Sequence, residues 1–155
     1  MAKRCVFFGH REIPEDLRER LEEAVEQAIA DGVTEFWNGG YGGFDMMAAR
    51  VVAELKEKHP QICSRMVYAY PPVHAPDSWF DQAFCPDILD EYELKARIPR
   101  RNIWMAEECD MAITYVNHDE SRIHEPLDHM LKLGKPMVRL GGYEPRVRRC
   151  WWEEE

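Results

Sequence analysis

No apolar run in this chain approaches the roughly 20 residues that a membrane-spanning helix requires, and no basic excess offsets its acidic residues. With 29 Asp and Glu against 20 Lys and Arg, the 155 residues carry a formal charge of −9. That sign disfavours nucleic acid as a partner, because neutralising phosphates draws on Lys and Arg in excess. Paired cysteines are missing too. Cys5, Cys63, Cys85, Cys109 and Cys150 are odd in number, far apart and never at CxxC spacing, so neither a zinc site nor a disulfide framework is indicated. Only Cys5 to Phe8 form an apolar stretch ahead of Gly9, too short for a signal peptide. A reducing cytoplasm is therefore the expected setting, with no membrane partner. There is no internal repeat and no low-complexity linker.

What is present, 45% apolar and 32% charged residues, is the balance of one globular domain. A chain of this length can bury about two-thirds of the surface it exposes when unfolded.

Strand and helix signals alternate. Cys5 to Phe8 reads as a strand buried on both faces. Ile13, Leu17, Leu21, Ala24, Val25, Ala28 and Ile29 share one helical face, closed by Gly32. Val33 to Trp37 reads as a second strand, and Phe44 to Leu55 as a second helix ending before Pro60. A third strand is predicted over Met66 to Tyr70. From Val73 to Leu94 the pattern is irregular and predicts a loop with short turns, with Trp79, Phe80 and Phe84 packing beneath it, making a dimer contact, or stacking on a base. A helix near Pro99 to Glu108, a strand at Met111 to Val116, a helix near Pro126 to Leu133 and a strand at Met137 to Leu140 complete the series. Strands separated by helices imply a mainly parallel sheet with helices on both faces. The fold class is thus α/β, a single doubly wound, Rossmann-like domain over residues 1–142, followed by a tail at 143–155. The tail is expected to fray, although Trp151 and Trp152 favour packing on the domain or on a second subunit.

In doubly wound sheets, ligands bind at the carboxyl ends of the strands. Two segments stand there. Asn38-Gly39-Gly40-Tyr41-Gly42-Gly43-Phe44-Asp45 lies between a predicted strand and a predicted helix. Glycines let the backbone approach a ligand, and the amides of the following helix attract an anion. The run matches neither GxGxxG nor GxxxxGK[ST]. The second segment, Phe8-Gly9-His10-Arg11, adds a guanidinium fork for phosphate and an imidazole. The amides of residues 39–43, facing Arg11, are expected to form a cradle for negative charge. Asp45 at the helix start suits either capping or a ribose contact. Glu125, ahead of Pro126, suits a helix start. His118, His124 and Asp119 share no helical face, so no metal is expected. Cys5 and Cys109 read as buried hydrophobes.

Phe7-Phe8-Gly9-His10-Arg11, the Gly39 to Asp45 loop, and Arg101-Asn102 followed by Asp110 together resemble the SLOG superfamily. This is the Rossmann-like fold of DprA/Smf DNA-processing proteins and LOG cytokinin-activating hydrolases. Within it the chain is most similar to the YpsA-like branch, with its F-x-G-H-R opening and G-G-x-x-G-F-D loop. The likeness covers roughly residues 4 to 140. It implies a nucleotide-derived phosphorylated ligand, such as ADP-ribose, NAD or a signalling nucleotide, bound by a bacterial or phage sensor or regulator. By position it implies contacts from Gly9, His10, Arg11, Asn38, Gly39, Gly40, Gly42, Gly43, Asp45, Arg101 and Asn102. It also implies a homodimer or higher homo-oligomer and no resident cofactor.

Two departures stand out. The hydrolase branch resembles P-G-G-x-G-T-x-x-E, which is not reproduced here. Where many relatives place a second glycine pair, this chain has Asn117 to Pro126 without glycine. Polar side chains stand in for amides there, or the second half-site is lost. Ligand binding is accordingly favoured over catalysis. The enzymatic alternative is a nucleotide N-glycoside hydrolase using His10, Asp45 or Glu125, and a third reading is a protein-interaction module with a vestigial pocket.

Overall fold

The computed structural model describes residues 2–40, 42–72, 74 and 78–148. Its strands are β1 (Lys3–Gly9), β2 (Val33–Asn38), β3 (Cys63–Val67), β4 (Gln82–Phe84), β5 (Met111–Tyr115) and β6 (Met137–Arg139). Its helices are α1 (Leu17–Ala30), α2 (Gly43–Leu55), α3 (Arg97–Glu108) and α4 (His124–Lys132). All strand pairs are parallel, in the order β4-β3-β2-β1-β5-β6. Among the described residues no helix is long and apolar enough to cross a membrane.

β1 is central because its apolar residues serve both faces. Cys5 and Phe7 enter a core built with α1 and α2, whereas Val6 and Phe8 enter one with Met105 of α3 and Leu127 of α4. The period-2 alternation of a strand sends successive side chains to opposite faces. Phe7 stacks on Phe36 and meets Phe44 edge-on, which fixes α2 close over the end of β1. Gly9 permits that approach: a Cβ there would lie 2.4 Å from the Phe44 ring.

The irregular segment has the expected short turns, two 3-10 elements at Asp87–Glu91 and Leu94–Ala96, but it also contributes an edge strand, β4, that the sequence did not signal. Three residues are too few for alternation to register, so β4 has no sequence signature. β3 also starts three residues before the predicted strand, since Cys63-Ser64-Arg65 pair with β2 in spite of their polarity. Phe84 packs edge-on against Trp37 and Trp104, and Arg50 lies over the Trp79 ring. For these two aromatics packing, not base stacking, is what the fold uses. Arg97 staples the segment in place. It is 5% exposed and donates to the Ala69 and Leu89 carbonyls at 2.6 and 2.7 Å.

The start of the tail is docked instead of frayed. The Asp128 carboxylate, on α4, accepts from the Tyr143 hydroxyl at 2.8 Å and the Arg146 amide at 2.9 Å, and pairs with Arg148 Nε at 2.8 Å. A buried carboxylate requires such partners. Desolvation and the Asp128 hydrogen bond push the Tyr143 hydroxyl up to about 12. Trp151 and Trp152 lie outside the described residues.

Candidate ligand-binding site

The chain leaves β1 for β2 on one side, and β5 returns on the other. That divergence opens a crevice at the carboxyl ends of the strands, the switch point of a doubly wound sheet. A cavity of about 250 Å³ occupies it. Its wall comes from four places: Phe7 to Arg11 at the end of β1, Asp45 on α2, Ile98, Arg101, Asn102 and Met105 on α3, and Glu120, Ser121 and Ile123 before α4.

Six of the expected contacts therefore converge: Gly9, His10, Arg11, Asp45, Arg101 and Asn102. Asn38, Gly39, Gly40, Gly42 and Gly43 are not part of the wall. Their work is internal to the loop. Asn38, 1% exposed, donates through Nδ2 to the Asp45 carbonyl and accepts from the Gly40 amide, both at 2.6 Å. The Gly43 and Phe44 amides donate to the Arg11 and His10 carbonyls at 2.8 and 3.1 Å. These three amides are thus satisfied by protein, and the anion cradle expected of the loop is not built from them. A helix N-terminus attracts whatever acceptor reaches it first, and here the β1–α1 connection does.

Positive charge comes from side chains instead. Arg101 is 5% exposed, and its Nη1 donates to the carbonyls of Gly39 (3.1 Å) and Val67 (3.2 Å), while Nε donates to Asn102 Oδ1 (3.1 Å). Burial draws its pKa down and Asp45 opposes that pull. A guanidinium stays charged inside proteins, so α3 presents a fixed cation at the cavity wall, with the more exposed Arg11 also lining it.

His10 is held by one hydrogen bond and one close carboxylate contact. The Asn117 amide donates to Nε2 at 2.8 Å, and Nδ1 lies 3.0 Å from Glu120 Oε2. Because an amide N–H only donates, the proton of the neutral ring resides on Nδ1. Burial lowers the His10 pKa first and the stacked His118 ring second, against the opposing pull of Glu120. The sign for stability follows. The unfolded chain takes up this proton near pH 6.5, before the folded one does, so the stabilisation is complete above that value and declines as pH falls towards the folded pKa. The difference in urea midpoint between pH 7.5 and 5.5 is expected to shrink in His10→Gln relative to the unmodified chain. An unchanged difference would show that His10 does not contribute.

His10, His118 and Glu120 bring their ligand atoms within 4.8 Å of one another. A metal on Nδ1 requires the ring proton on Nε2, usually facing a carbonyl or carboxylate. The Asn117 amide faces that nitrogen instead, so the trio is ill suited to a metal. His124 is turned elsewhere, with Nδ1 at 2.8 Å from Asp119. Glu125, expected at a helix start, sits one residue inside α4, paired with Arg122 and outside the cavity wall. Burial pushes the Cys5 and Cys109 thiols well up, which suits the buried-hydrophobe reading.

Glu120 and Ser121 carry no motif and were not singled out from the sequence. The available signal was positional: they follow a strand at the switch point, in the stretch where the family resemblance implies a glycine pair. The backbone there has the left-handed geometry that glycine favours, with φ of +51° at Ser121 and +62° at Arg122.

No protein-family model matches the chain, and no curated protein does. Among solved structures it resembles DNA processing protein A from Helicobacter pylori, described for its single-stranded DNA binding mode. That match has a TM-score of 0.64 and 14% identity over 94% of this chain and 69% of the other. It also resembles the molybdenum cofactor binding protein from Rippkaea orientalis, with a TM-score of 0.64 and 13% identity over 92% and 78% of the two chains. The molybdenum cofactor carrier protein from Chlamydomonas reinhardtii follows, with a TM-score of 0.61 and 14% identity over 92% and 78%. These likenesses show the Rossmann-like α/β fold that the resemblance implied. They also correct one expectation. The fold of a protein with a single-stranded DNA binding mode covers nearly all of this chain, so a net charge of −9 does not exclude nucleic acid. Net charge averages over the whole surface, whereas binding depends on the local field.

Proposed function

We propose that this chain, which carries the SLOG fold, binds a phosphorylated, nucleotide-derived ligand in the cavity at the end of β1, as a sensor or regulator. The observation that carries this reading is the buried Arg101 guanidinium at the cavity wall, with Arg11 beside the same space and apolar surface from Phe7, Phe8 and Met105. Two guanidiniums supply planar donors for phosphate, and apolar walls with a few convergent polar groups are the usual makeup of a small-molecule site. About 250 Å³ lies just below the roughly 300–1,000 Å³ range of ligand pockets. That size favours a mononucleotide, or one half of NAD or ADP-ribose, over a complete dinucleotide. The F-x-G-H-R opening keeps the YpsA-like branch as the reading within the superfamily, and a reducing cytoplasm as its setting.

Isothermal calorimetry with AMP, NAD, ADP-ribose, cyclic dinucleotides and a short single-stranded oligonucleotide tests this. A mononucleotide is expected to bind, and Arg11→Gln is expected to weaken it about tenfold, the scale of one charged hydrogen bond. Silence across the panel overturns the reading, and binding of the oligonucleotide alone replaces it with a nucleic-acid function. Substituting the loop glycines is a poorer test. Gly42 has φ +98° and a Cβ there would lie 2.9 Å from the Arg11 Cα, so the loop would distort with or without a ligand.

The hydrolase alternative requires a carboxylate and a proton donor at one anomeric carbon. Of its candidates, Glu125 pairs with Arg122 away from the cavity. His10 and Asp45 both line the wall, but His10 Nε2 is taken by the Asn117 amide and its Nδ1 faces Glu120, which leaves Asp45 as the one candidate carboxylate there. Binding without release of free base is the expected chromatographic result.

A further inference from the structure

The cavity wall holds one carboxylate whose surroundings are arranged around it. Glu120 has Oε2 3.0 Å from the buried His10 ring and 3.7 Å from His118. Oε1 makes no hydrogen bond to any described residue, and the side chain is 39% exposed at the cavity. His10 accepts from the Asn117 amide through Nε2, and its Nδ1 lies 3.0 Å from Glu120 Oε2, so the ring sits directly beneath that carboxylate. Its chemistry is directed at Glu120. The two residues that follow are both left-handed although neither is glycine, a backbone strain that persists only where the surroundings impose it. A solvated loop has no need of a buried histidine beneath its carboxylate or of two strained residues after it.

From this we infer that Glu120 determines specificity. It accepts a hydrogen bond from a neutral donor, a hydroxyl or an amino group, on the same ligand whose phosphate faces Arg11 and Arg101. His10 is its positioning residue. The inference rests on the proposed nucleotide reading and adds to it the second group the ligand must carry. A carboxylate accepts and a guanidinium donates, so the two kinds of side chain read chemically opposite parts of one molecule. A site built to pair with a donor rejects analogues that lack it, because a bound ligand covers the half-exposed carboxylate and leaves it unpaired.

The donor is either a ribose hydroxyl or an exocyclic base amine, and one titration series separates them. AMP, its 2′-deoxy and 3′-deoxy forms, and IMP are titrated into the unmodified chain, Glu120→Ala, and His10→Gln. One analogue is expected to bind roughly tenfold more weakly than AMP to the unmodified chain. A deoxy form identifies ribose, and IMP identifies the amine. In Glu120→Ala that ratio is expected to fall to near one, with inorganic phosphate binding unweakened. His10→Gln is expected to give an intermediate ratio. Equal affinities for all four nucleotides in the unmodified chain, or a ratio that survives Glu120→Ala, overturns the role of Glu120 while leaving the nucleotide site standing. Failure of the unmodified chain to bind any nucleotide overturns the underlying reading instead. Glu120 is a half-exposed loop residue, and matching melting temperatures verify that each variant is folded.

Discussion

Arg101→Met is expected to lower the stability of this chain by about 3 kcal/mol and to abolish nucleotide binding. Its guanidinium donates to two buried carbonyls, Gly39 on the loop after β2 and Val67 at the end of β3, while Asp45 lies near enough to act on its charge. Removing it leaves those acceptors unsatisfied and withdraws a positive charge that acts on the Asp45 carboxylate. Leaving a buried acceptor unpaired costs about 1–3 kcal/mol. For a domain of this size, about 3 kcal/mol corresponds to a melting point lower by about 10 °C. Thermal and urea unfolding read the first effect, and calorimetry under folding conditions reads the second. Arg101→Lys keeps the charge without the fork and is expected to recover part of the stability but little of the binding. A Met variant as stable as the original chain would remove Arg101 from its place as the fixed cation of the site.

Gly43→Ala is expected to destabilise by about 2 kcal/mol, the sign opposite to that of helix propensity. Gly43 is the first residue of α2 with an ordinary backbone angle, and alanine in a helix is favoured over glycine by about 1 kcal/mol. A Cβ at this position, however, would lie 2.3 Å from the Arg11 carbonyl oxygen, the same oxygen that accepts the Gly43 amide. That carbonyl is backbone, so relief means moving the β1–α1 connection and with it the Arg11 side chain at the cavity. Overpacking costs typically 1–3 kcal/mol, enough to outweigh the propensity gain. Urea denaturation gives the sign directly. A stabilised variant would mean that the close approach of α2 to the β1–α1 connection is not a constraint.

These two predictions mark where sequence and structure diverged. The glycine-rich loop was legible as special, and its position at the end of β2 was correct. Its role was not legible. Whether an amide faces solvent or a carbonyl of another segment depends on where residues 10 and 11 run, which no local pattern encodes. Arg101 was legible only through resemblance, because a lone arginine on an amphipathic helix ordinarily reads as exposed. Glu120 was overlooked for the complementary reason. It sits in a polar stretch without glycine, and its significance comes from a histidine 110 positions earlier in the chain that meets it in the fold.

The sequence by itself determined the α/β alternation, the parallel sheet and the end of the molecule at which the strands open a crevice. Those follow from apolar periodicity and the handedness of crossovers, properties of each segment taken in order. Only the tertiary structure decided which polar groups remain available there. Availability is a matter of competition among donors and acceptors from distant segments, and that competition is settled when the segments pack: the Gly43 and Phe44 amides were taken by the Arg11 and His10 carbonyls, and the side chains of Arg11, Arg101 and Glu120 line the cavity.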